Sequence, residues 1–112
     1  MLTSLRERKR YLAFEVVSES PIQDFNAVSH AVWDKALEYL GELGCAKAGI
    51  MIMQDKYNVE KQRGLIRVNN KSVDKLRATL TLIDQIDNKH VIVRSRGVSG
   101  VLNKAEGKYI AG

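Results

Sequence analysis

Arg63 and Arg67 lie four residues apart in the run Lys61–Val68, and Arg94 and Arg96 lie two apart in the run Lys89–Arg96. Even spacing along a β-strand sends side chains to one face, so each pair, with Lys61 on the same parity, would present its charges together. A guanidinium is a rigid fork of N–H donors that takes phosphate oxygens two at a time and stacks on bases. The chemistry these residues offer is the grip on a polyanion. Arg8, Lys9 and Arg10, preceded by Arg6, form a second basic set at the start of the chain, and Lys71, Lys75 and Arg77 a third. The plainer reading of each set is a solvated surface. Exposed ion pairs contribute only about 0–1 kcal/mol, so stability gives little reason to gather four arginines.

Residues for bond-breaking are sparse. Cys45 is the one cysteine, without a partner for a disulfide or a structural zinc site, and reads as a small buried residue. His30 belongs to an acidic stretch and His90 to a strand start, with no reason to meet. Asp84 and Asp87 fall at a helix end, and no Gly-containing stretch has the spacing or the Lys-Ser/Thr ending of a phosphate loop. The expectation is a chain that holds no catalytic residue, metal or cofactor of its own.

Charge is unevenly spread over the 112 residues, whose formal net charge is +5. Residues 1–10 hold four basic residues against one acidic, residues 11–44 one against six, and residues 45–112 thirteen against six. An acidic stretch beside a basic remainder points to one face for a polyanion and another that avoids it. The length suits one domain, and 45% apolar residues supply a single core. No apolar run reaches the roughly 18 residues of a membrane-spanning helix. No signal-peptide core follows the basic start, so a cytoplasmic protein without a membrane partner is expected.

The elements that must position these residues follow from periodicity. Residues 1–10 read as a basic N-terminal arm and residues 11–112 as a single domain. Tyr11–Glu19 alternates as a strand with Leu12, Phe14 and Val16 on one side. Ser20-Pro21-Ile22-Gln23 reads as a capped helix start, the helix running to Leu40 with Gly41 and Gly44 as stop signals. Ala48–Met53 predicts a second strand, Lys61–Val68 a third, Ser72–Ile86 a helix capped by Asn70, Lys89–Arg96 a fourth strand, and Gly100–Glu106 a short terminal helix capped by Ser99. Strand, helix, strand, strand, helix, strand is the order of a ferredoxin-like, RRM-like split βαβ sandwich. That is an α+β fold whose four-stranded antiparallel sheet carries helices mainly on one face.

The first and third strands would then be central. The face away from the helices would carry Arg63, Leu65, Arg67, His90, Ile92, Arg94 and Arg96, with Glu15 between the strands and able to pair with Arg67 or Arg94. Arg63-Gly64-Leu65-Ile66-Arg67-Val68 opens like an RNA-recognition signature but puts Leu65 and Arg67 where stacking aromatics belong. Contact with the backbone of a folded RNA is therefore expected over reading of bases. Met51 and Met53 turn apolar side chains away from Ala48, Ile50 and Ile52, which marks a candidate protein interface or an edge covered by a terminal segment.

Arg8-Lys9-Arg10-Tyr11-Leu12-Ala13-Phe14-Glu15-Val16 resembles the opening of the archaeal ribonuclease P protein component 2 family. Also similar to that family are Ala31-Val32-Trp33-Asp34 leading to Leu40-Gly41, Gly64-Leu65-Ile66-Arg67-Val68, Val73-Asp74-Lys75-Leu76-Arg77-Ala78 with Leu80, and Val91-Ile92-Val93-Arg94 through Val98-Ser99-Gly100-Val101-Leu102. The likeness runs over residues 5–106 and is weakest over Gln54–Gln62. It implies a ferredoxin-like subunit of the ribonucleoprotein that removes the 5′ leader from precursor tRNA. The implied partners are the ribonuclease P RNA, which would carry the chemistry and its Mg²⁺, protein component 3 and the other protein subunits. The competing expectation is a ferredoxin-like module whose basic face binds an acidic protein or a small ligand.

Overall fold

The computed structural model describes residues 8–111. Its elements are β1 (Lys9–Ser18), α1 (Phe25–Ala48), β2 (Met51–Ile52), β3 (Arg63–Asn69), α2 (Val73–Leu80), β4 (Gln85–Ile86), β5 (Lys89–Ser99) and α3 (Leu102–Ala105), followed by a π-helical turn over Glu106–Ile110. The strands form one five-stranded sheet in the order β2-β3-β1-β5-β4. Every neighbouring pair in it is antiparallel.

Alternation makes β1 the centre. Leu12, Phe14 and Val16 point into a core with Ile66 and Val68 of β3 and Val91 and Val93 of β5, and that core is roofed by Val28, Val32 and Ala36 of α1 and Val73, Leu76 and Leu80 of α2. Both long helices thus cover one face. No helix among the described residues is long and apolar enough to cross a membrane.

The helix start lies later than the Ser20–Gln23 reading. Asp24 is the cap, its carboxylate accepting from the Asn26 N–H at 2.9 Å. The reason is Ile22, whose buried N–H donates to the Gln62 side chain, which keeps the chain ahead of Asp24 out of the helix. At the other end Gly41 does not stop α1. It adopts φ 73° and ψ 171°, a backbone that only glycine takes without strain, and kinks the helix. Burial of Cys45 and Ala48 carries α1 on to a left-handed cap at Gly49. That extension consumes the first residues assigned to the second strand and leaves β2 with two.

The second helix also differs from expectation. It ends at Leu80, and a 3₁₀ turn over Asn70–Ser72 precedes it. Ile83 and Ile86 bury from a turn and from β4. Asp87 and Asn88, both at positive φ (55° and 62°), form the two-residue hairpin that joins β4 to β5. This hairpin is the source of the fifth strand.

Candidate nucleic-acid interface

Registration of the strands arranges the face opposite α1 and α2 in rows. Met51, Arg67, Tyr11 and Ser99 form one; Leu65, Ala13 and Gly97 the next; Arg63, Glu15 and Arg94 the third. Val17 and Ile92, both exposed, follow.

The second row is not open. Ala105 and Ile110 pack on Ala13 and Leu65, with Leu102, Tyr109, Tyr11 and Met53 around them. Leu65, expected to face outward, is fully buried there. Gly97 is what allows the approach, since a Cβ at that position would lie 2.2 Å from Tyr109 Cζ. The loop between β2 and β3 clasps this C-terminal segment. Lys56 pairs with Glu106 at 3.4 Å, and the Lys61 ammonium donates to the Ala111 carbonyl at 2.8 Å. Lys61 therefore stands in the turn before β3 and not in the arginine row.

The third row is an ion-pair cluster. Arg63 Nε donates to Glu15 Oε2 at 3.0 Å, Arg94 Nε and Nη2 reach Oε1 at 2.9 and 2.7 Å, and Arg96 Nη1 lies 3.5 Å from the same oxygen. Of the two expected partners for Glu15, Arg94 is present and Arg67 is not. The antiparallel register sets Arg63 across from Glu15 and Arg67 across from Tyr11. A bulge assists. Phe14 pairs with Ser95 and Ala13 with Gly97, so Arg96 has no opposite residue and is re-aimed beside Glu15.

Burial grades the cluster. The Glu15 and Arg63 side chains are 12% and 16% exposed, Arg96 32% and Arg94 60%. Burial pushes the Glu15 pKa up, but hydrogen bonds from Arg94 and Arg63, with their charges, outweigh it and hold the carboxyl below its ordinary value. Arg67 is half-buried and has no ion pair among the described residues.

Two residues assigned to the N-terminal arm, Lys9 and Arg10, open β1. The Lys9 ammonium donates to Asn69, Arg10 Nε to Asn70 Oδ1 at 2.9 Å, and the Arg8 carbonyl accepts from the Asn70 N–H at 2.7 Å. They lie toward the Arg67 end of the sheet. Arg6 is outside the described residues. Two cations that sequence reading passed over, Lys104 and Lys108, are exposed on the segment that covers the second row. Their four-residue spacing was the available signal.

Met51 is half-exposed across from Arg67, whereas Met53 packs on the chain's own C-terminal segment. Cys45 is buried, which pushes its thiol pKa up. His30 and His90 are exposed on α1 and β5. Among the described residues no three His, Cys, Asp or Glu side chains gather as metal ligands.

A family model described as the Rpp14/Pop5 family matches residues 10–110. The chain is 37% identical over 108 residues to a protein of Thermococcus kodakarensis named ribonuclease P protein component 2, covering 96% of this chain and 88% of that protein. It is 34% identical over 107 residues to the protein of the same name from Archaeoglobus fulgidus, covering 96% and 93%. Among solved structures, a chain in the cryo-EM structure of yeast ribonuclease MRP superposes with a TM-score of 0.64 at 14% identity, over 87% of this chain and 77% of that one.

Proposed function

Because the chain belongs to the Rpp14/Pop5 family, we propose that it is a protein subunit of ribonuclease P, the ribonucleoprotein that cleaves the leader from precursor tRNA. The core is read as ferredoxin-like, with β4 added at one margin. The protein grips the backbone of the catalytic RNA, and that RNA holds the Mg²⁺ ions and performs the cleavage. The observation that carries this reading is the face with Arg94 exposed, Arg96 beside it, Arg67 without an ion pair among the described residues, and Lys104 and Lys108 on the ridge between.

The carboxylate within that face is ill suited to proton transfer. Glu15 is engaged by three arginines and its pKa is held down, the opposite of what a general base near neutral pH needs. Neutralising phosphates lets a folded RNA pack its helices with fewer free cations. Protein component 3 is assigned to the β2 margin at Met51, an exposed apolar side chain.

The test is reconstitution of cleavage with the ribonuclease P RNA and the other protein subunits while Mg²⁺ is lowered. Adding this chain is expected to move the Mg²⁺ requirement down, and an unchanged requirement would overturn the reading. Cleavage of precursor tRNA by the purified chain with Mg²⁺ and no other RNA would overturn its non-catalytic part.

A further inference from the structure

Three guanidinium groups converge on one carboxylate, and we propose that Glu15 is a positioning residue of the RNA-binding face, holding Arg94 and Arg96 with their remaining N–H groups turned toward an incoming phosphate. The inference rests on the RNA-binding reading above and concerns how that face is preset.

The two oxygens of Glu15 divide the work. Oε2 takes Arg63, and that pair is the inner one, with side chains 12% and 16% exposed. It fixes the carboxylate between β1 and β3. Oε1 is left for β5, where Arg94 spends Nε and Nη2 and Arg96 spends Nη1. Among the described residues nothing else takes Nη1 of Arg94 or Nη2 and Nε of Arg96, which are left for a ligand. Arg94 and Arg96 are 60% and 32% exposed, so although they help hold Glu15 ionised, packing alone does not call for a second and third arginine at the surface. A simple neutraliser does not explain it either, because a negative charge in the centre of a phosphate-binding face opposes binding unless it orders the donors around it. A flexible arginine loses rotamer freedom when it captures phosphate, and one already held in place loses less.

The two roles predict opposite signs. Glu15→Gln adds one positive charge to the face. If Glu15 only neutralises, RNA binding tightens; if it positions, binding weakens by about three- to tenfold, the scale of immobilising one or two long side chains. Affinity for transcribed ribonuclease P RNA would be measured at several salt concentrations, well below each variant's melting midpoint. Equal or tighter binding by Glu15→Gln overturns the proposal. The Arg94 Nε–H resonance of the free protein supplies a second readout. It is expected to be sharp in the wild type and broadened in Glu15→Gln, and a signal that stays sharp counts against positioning.

Glu15→Gln also strips the buried Arg63 of its partner, so a second comparison removes that liability. Arg63→Gln retains the Glu15 clamp on β5, and Glu15→Gln/Arg63→Gln lacks it while gaining one positive charge relative to Arg63→Gln. The double variant is expected to bind about three- to tenfold more weakly than Arg63→Gln; unchanged or tighter binding overturns the proposal. Arg94→Ala/Arg96→Ala separates the two layers. If it leaves RNA affinity unchanged, the RNA-binding face is wrong and the positioning role falls with it. If it weakens binding while the glutamine variants do not, the positioning role alone fails.

Discussion

Glu15 remains ionised because two close arginines outweigh the burial that opposes it, and that balance has a sign in pH. A carboxyl whose folded pKa is lowered from 4.5 stabilises the native state above its unfolded pKa, and that stabilisation is lost as pH falls through the lower native value. Thermal melts from neutral pH into acid are expected to show this component for the wild type below about pH 4.5 and to lack it for Glu15→Gln. Gln62 is the other polar residue on which packing turns. Its buried side chain accepts from the Ile22 N–H and donates to the Val16 carbonyl and to Ser18 Oγ at 2.8 and 3.1 Å. Gln62→Ala leaves the Ile22 N–H and the Val16 carbonyl without that partner, and denaturant titration is expected to show a loss of about 1–3 kcal/mol. At this scale parity alone placed Arg63, Arg94 and Arg96 on one face. It did not give the register, so it offered Arg67 to Glu15 where Arg63 stands, and nothing local announced that Gln62 reaches forty residues back to Ile22.

The C-terminal segment is the element that most changes the shape of the face. Ala105, the last residue of α3, and Ile110, the last of the π-helical turn that follows, seal the middle row from five residues apart. A scan at 3.6-residue spacing therefore lost them and left Leu65 looking outward. Gly97→Ala puts a methyl into the Tyr109 ring and is expected to lift this segment. Amide hydrogen exchange over Leu102–Ile110 should then accelerate while exchange in the β1 and β3 cores stays slow. Other element errors have local causes. The Asp87-Asn88 hairpin was written in residues that tolerate positive φ, yet Ile83 and Ile86 continued a helical spacing and hid it. The kink at Gly41 looked like a stop because the burial that resumes the helix comes only later, at Cys45 and Ala48. β1 was read correctly in kind because its alternation is long and its inward side chains are large.

Across the whole molecule the cations divide into two groups on either side of the C-terminal ridge. Arg63 and Arg67 lie four residues apart on β3, roughly 13 Å along the strand. Among the described residues Arg67 shares no partner with the Glu15 cluster. The effects of Arg67→Ala and Arg94→Ala on RNA binding are therefore expected to add within about 0.3–0.5 kcal/mol. Each should flatten the log–log salt dependence by roughly 0.7–0.9 for every phosphate the variant no longer neutralises. A titration series on the two single variants and the double checks both. The bulge at Arg96 has one more consequence. The outer margin of β3 is sealed by β2 and by loop bonds from Met53 and Asn58, but β5 beyond Val91 has β1 on one side and, among the described residues, no strand on the other. A bare margin of that length is a template for intermolecular pairing, and a local twist with bulky charges is how natural sheets refuse it. The bulge at Arg96 and the exposed charge of Arg94 are features of that kind.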